Sequence, residues 1–179
     1  MATQALDSEI RPHPQRNIRV APDHWRIARF EATFERALLR LVGVPYRFGG
    51  RGKSGIDCSS VMMQAIRQAL RVRVTDLPWM TADSIGRGRR DLTVAMPDPE
   101  PQDRCALAFF DWDEDGIYEH MCARLVDGSW VWASSTVGQV VHVDTESRKR
   151  WRRQWREIEG ALYGPNSTFR LINWDGWHS

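Results

Sequence analysis

One turn constrains this chain more than any other feature: a glycine-rich lead-in that delivers a cysteine to the start of an apolar helix pattern. Gly43-Val44-Pro45-Tyr46-Arg47-Phe48-Gly49-Gly50 is followed after a short loop by Gly55-Ile56-Asp57-Cys58-Ser59-Ser60 and then Val61-Met62-Met63-Gln64-Ala65-Ile66. A helix start offers unpaired N–H groups and a partial positive charge. Both favour a thiolate, which is the nucleophilic form of cysteine. Glycines in the lead-in let the backbone come close to whatever binds there. Asp57 and Ser59 are good N-cap residues. The alternative is a buried core thiol, since free cysteine is among the most buried residue types; the polar neighbours Asp57, Ser59 and Ser60 argue against it.

The periodicity around this turn predicts the surrounding elements. Ile27, Phe30, Phe34, Leu38 and Leu41 recur at steps of three and four, with Trp25 just ahead of them, which predicts a helix over 24–41 stopped by Gly43 and Pro45. A second helix is expected over 58–70. Cys105–Phe110, Met121–Val126, Ser129–Ala133 and Val137–Val143 read as strands, with Asp127-Gly128 as a hairpin turn. Residues 147–162 read as a basic amphipathic helix, and Phe169–Trp174 suits a closing strand. Residues 1–23, polar and holding Pro12, Pro14 and Pro22, read as a mobile arm. No repeat or linker asks for a second domain, so 24–179 is expected to be one domain.

These residues resemble the NlpC/P60 family of cell-wall cysteine peptidases. The resemblance rests on Pro45-Tyr46-Arg47-Phe48-Gly49-Gly50 with Asp57-Cys58-Ser59, on Ala108-Phe109-Phe110, and on His120 followed by the turn at Asp127-Gly128. It implies an α+β, papain-like fold with N-terminal helices packed on a central antiparallel sheet. It also implies that Cys58 is the nucleophile and His120 the general base. Tyr46, Asp57 and Ser59 would serve the oxyanion or the substrate, with Asp57 also holding the cysteine turn. The family usually carries a third polar residue, most often His, where this chain has Trp132. An indole N–H only donates, so Trp132 cannot accept from an imidazolium. A base normally needs such an orienting group. His142 is the first substitute; Glu119, Ser134 and a backbone carbonyl are the others.

Composition excludes more than it assigns. A length of 179 residues, with 42% hydrophobic and 27% charged, is globular and sufficient for a core. A net charge of +2 makes no argument for nucleic acid. Cys58, Cys105 and Cys122 form neither metal spacing nor a disulfide framework. The acidic turn Asp111-Trp112-Asp113-Glu114-Asp115-Gly116 lacks the full calcium-loop pattern with its terminal Glu. No cofactor, metal or membrane partner is therefore expected. The first residues have neither a basic nor an apolar leader region, so a wall-directed activity would be delivered by virion, lysis or injection. The resemblance implies hydrolysis of peptidoglycan stem peptides, at the bond joining D-Glu to the diamino acid. The alternatives are a structural component of a phage tail tip or injection device, with phage or secretion-system proteins as partners, an antibacterial amidase toxin, or another papain-like activity.

Overall fold

A computed structural model describes residues 24–97, 100–144 and 167–177. The arm at 1–23 and the basic helix expected at 147–162 lie outside the described residues. Helix α1 spans His24–Leu39, α2 spans Cys58–Leu70 and the short α3 spans Ala82–Gly86. Strands β1 (Arg51–Gly52) and β2 (Gly55–Ile56) form a small hairpin. The main sheet is built from β3 (Thr93–Ala95), β4 (Ala106–Phe110), β5 (His120–Arg124), β6 (Trp130–Ser134), β7 (Gln139–Val143) and β8 (Ser167–Ile172). Its order is β3-β8-β4-β5-β6-β7, with every pairing antiparallel. The α+β architecture of helices on an antiparallel sheet is thus present.

Helix α2 begins where its sequence says it should. Asp57 is extended, and its Oδ1 accepts from the Ser60 N–H at 2.7 Å and from Ser59 Oγ at 3.0 Å. This satisfies one orphan donor of the first turn. Val61, Met62, Ala65, Ile66 and Ala69 are then buried. They pack with Phe34 and Leu38 of α1 and with Leu107, Phe109, Met121, Ala123, Val131 and Val140 from one face of the sheet. The α1 stripe is shorter than its periodicity suggests, because Trp25 stays 60% exposed.

The opposite face of the sheet is apolar too. Ala108, Phe110, Cys122, Trp130, Trp132, Val141 and Val143 form a second cluster. Strands β4 and β6 are buried at every position. A strand covered on both faces reads as a continuous apolar run, with no alternation to mark its faces.

Chain ends close the core. Trp174, just past β8, stacks on Phe30 at 5.7 Å and meets Phe34 edge-on at 5.8 Å. Its indole N–H donates to Glu31 Oε1 at 3.2 Å. Trp174 is therefore a packing residue.

The lead-in to α2 is tied to the free edge of the sheet. The Tyr46 N–H donates to Gly138 O at 2.7 Å, the Gly43 N–H to Val140 O at 2.9 Å, and the Val140 N–H to Val44 O at 2.9 Å. Gly50 has a different purpose from the one its sequence suggests. A Cβ there would collide with the Gly55 carbonyl, so the close approach that demands glycine is between the chain and itself. It shapes the β1–β2 turn that hands the chain to Asp57.

Candidate active site

Cys58, Tyr46, Asp57, Ser59 and Glu119 line one cavity of about 580 Å³, together with Tyr118 and with residues 79–83, which lead into α3. That volume suits a ligand of a few residues. The Cys58 thiol donates toward the Glu119 carbonyl at 3.8 Å. The N–H groups of Met121, Ser59 and Cys58 itself also face the sulfur. Tyr46 is half-buried; burial, with the neighbouring Cys58 and Asp57 charges, raises its phenol above the ordinary value.

Electrostatics at Cys58 run against the helix-start expectation. Burial, followed by the Asp57 carboxylate, pushes the thiol up to about 11 from 9.0, against the lowering effect of the three N–H groups. Cys58 is only 8% exposed. Losing water around the thiolate and an anion one residue away outweigh the partial charge of the helix start. The same carboxylate that caps α2 thus opposes ionisation of the residue it positions. At pH 7, thiolate should be about a hundred-fold scarcer than for an ordinary thiol. The iodoacetamide rate at Cys58 is expected to climb steadily with pH to about 11. A plateau near neutrality would contradict this environment.

His120 is not brought to this cavity. Side chains alternate along a strand, and on β5 Met121 and Ala123 take the α2 face while Cys122 takes the other. His120 pairs directly with Phe110, a member of the second cluster. Its ring stacks on Trp112 at 5.0 Å and on Phe110 at 5.9 Å. Burial alone lowers its pKa to about 4 from 6.5, so the ring is neutral. In this arrangement it does not reach the thiol, and the expected Cys58–His120 contact is absent among the described residues. The sequence could not reveal this, because β5 is apolar on both sides.

The proposed third residues divide in the same way. His142 pairs with Val131, on the α2 face, and its Nε2 is 2.9 Å from Ser129 Oγ. It is thus on the face opposite His120 and cannot orient it. Ser134 Oγ accepts from the Val137 N–H at 3.0 Å, holding a turn. Glu119 lines the Cys58 cavity but its Oε2 accepts from the Trp112 N–H at 2.8 Å. Trp132 shares the His120 face and is 2% exposed within the second cluster. Cys122 is buried there as well, its thiol pushed up by burial.

The acidic turn is gathered more closely than its incomplete pattern suggests. Ligand atoms of Asp111, Asp113, Asp115 and Glu119 all lie within 4.8 Å of one another. Part of their capacity holds the loop, since Asp111 Oδ2 accepts from the Gly116 N–H at 2.9 Å and Asp115 Oδ1 from the Ile117 N–H at 2.8 Å. The residue where a calcium loop would place its closing Glu is the buried Cys122.

The NlpC/P60 family profile matches residues 43–158. The chain belongs to the NlpC/P60 family. The fold of this NlpC/P60 domain recurs in solved structures of low identity. An NlpC/P60 family protein from Bacillus cereus is 14% identical with a TM-score of 0.52, over 79% of this chain and 39% of that one. The P60 domain of an antigen from M. avium subspecies paratuberculosis is 18% identical with a TM-score of 0.50, over 80% and 93%. The peptidoglycan hydrolase RipB from Mycobacterium tuberculosis is 21% identical with a TM-score of 0.50, over 68% and 61%. A comparison with curated proteins finds no match.

Proposed function

We propose that this domain hydrolyses an amide bond in the stem peptide of peptidoglycan, with Cys58 as nucleophile. The observation that carries the reading is Cys58 itself: a cysteine at an Asp57-capped helix start, in a cavity lined by Tyr46 and Trp79. Family membership and the likeness to the peptidoglycan hydrolase RipB support the substrate class. The Cys58 sulfur would add to the carbonyl carbon and form a thioester as the C–N bond breaks. The leaving amine takes a proton, and water then releases the acyl group. Helix-start N–H groups and the Tyr46 hydroxyl would receive the oxyanion. The bond we assign is that between D-Glu and the diamino acid.

The thiol proton needs an acceptor, because Cys58 does not ionise on its own near neutrality. His120 would serve if the first residue of β5 turned to the α2 face. A shift of one residue in register does that, since it moves a side chain from one face of a sheet to the other.

A second reading, favoured by His120 lying on the far face, is a domain that holds wall peptides without cutting them. Digestion of purified peptidoglycan by the wild type and by Cys58→Ala, read by mass spectrometry, separates the two. The expected result is new fragments from the wild type and none from the variant. Fragments from both would remove Cys58 from the mechanism. Fragments from neither would leave the holding role.

A further inference from the structure

A second cleft, of about 420 Å³, opens beside the Cys58 cavity between α1, α2 and the β1–β2 hairpin. Its charged lining is entirely cationic: Arg40, Arg51, Lys53 and Arg67, with the neutral donors Gln64 and Gln68. Among the described residues none of these four cations is in an ion pair. Arg67 is the unusual member. It is 8% exposed, yet its Nη2 is buried with no hydrogen-bond partner. Its Nε donates to Leu77 O at 2.6 Å, and its guanidinium lies 3.9 Å over the Trp79 ring. Arg51 approaches the same ring at 5.4 Å. Two like charges on one indole, one of them with an orphaned donor, are costly unless an anion joins them. Consistent with that, burial and then the Arg51 charge lower the Arg67 pKa.

What the anion belongs to follows from continuity. Arg51 and Trp79 line both this cleft and the Cys58 cavity. A chain lying at Cys58 can therefore extend past Trp79 into the cationic cleft. Arginine forks match a carboxylate through paired N–H donors. We propose that the cleft holds the C-terminal carboxylate of the peptide whose amide lies at Cys58, making it a specificity site for acid-ended stem peptides. This rests on the proposed function for the identity of the peptide, but not for the presence of an anion site.

The test is titration calorimetry on the full chain carrying Cys58→Ala, which leaves the peptide intact. The probes are a stem tetrapeptide with a free C-terminus, the same peptide as its C-terminal amide, and inorganic phosphate, all at one ionic strength. The acid is expected to bind about tenfold tighter than the amide, as losing a charged hydrogen-bond pair implies. Adding Arg67→Gln together with the exposed-site changes Arg51→Gln and Lys53→Gln should bring the acid down to the affinity of the amide, and Arg51→Gln with Lys53→Gln alone should narrow the gap. Equal binding of acid and amide in the Cys58→Ala chain, no binding of either, or a preference that neither set of substitutions reduces would overturn the proposal. So would phosphate binding as tightly as the acid peptide, which would assign the cleft to a phosphate. Acid preference without cleavage by the wild type would sink the hydrolase reading and leave the cleft standing. Cleavage without acid preference would do the reverse.

Discussion

Replacing Arg104 with methionine is expected to destabilise the domain by about 3–5 kcal/mol at pH 7. Arg104 Nε lies 2.5 Å from Glu31 Oε1, and the two side chains are 17% and 3% exposed. Trp174 donates to the same oxygen. The network joins α1 to a residue two positions before β4 and one two positions after β8, elements far apart in sequence. Removing the guanidinium strands a buried carboxylate, which is where the large cost of breaking a buried pair arises. Burial already raises the Glu31 pKa above 4.5 in the wild type, with Arg104 the chief opposing influence. A carboxyl whose folded pKa is raised contributes stability below its unfolded value and loses it as pH rises through the folded value. Without Arg104 that loss grows, so the cost should be larger at pH 7 than at pH 4. Urea unfolding at both pH values checks this. A second variant, Arg104→Met with Glu31→Gln, should recover most of the loss, because the charge is gone. A cost equal at both pH values, or no recovery, would mean that lost packing explains the effect.

Glu31 also marks the limit of what the chain's pattern can disclose. On α1 it sits beside an apolar stripe and reads as a solvated charge, because its partners Arg104 and Trp174 are brought to it only by the sheet. The start of α2 is different. Asp57, Cys58 and the Val61–Ala69 stripe act through neighbours within a turn or two, so the helix bounds and the cavity residue were legible locally. Tyr46 was legible only through resemblance; its position comes from its bond to Gly138, in the turn just before β7. The cationic cleft is hidden in the sequence for the same reason as the Glu31 network. Arg40, Arg51, Arg67 and Trp79 come from four separate segments, and none of them announces a partner. His120 failed in another way. A strand buried on one face reveals its inward residues by alternation, but β5 is covered on both, and the residue type alone could not say which cluster it joins.

Stability should fall by about 3 kcal/mol as pH drops from 6.5 to 4, on account of His120 alone. The buried ring titrates near 4 instead of 6.5. A basic group with a depressed folded pKa contributes stability that is full above its unfolded value and is lost as pH falls toward the folded one. A protonated ring would gain about 1 kcal/mol from the faces of Trp112 and Phe110. That is less than the desolvation it would suffer, and burial decides the direction. His120→Phe keeps the aromatic stack and removes the titration. Its unfolding curve should match the wild type at pH 7.5 to within about 1 kcal/mol, and it should be the more stable protein by about 3 kcal/mol at pH 4. Curves that stay parallel at both pH values would show that His120 is not held neutral in the second cluster. The same variant bears on function. If His120 takes the Cys58 proton by turning to the α2 face, His120→Phe loses cleavage at every pH while keeping its stability at neutral pH. If cleavage survives, the base is another group in the Cys58 cavity, and the stack on Trp112 is what this histidine is for.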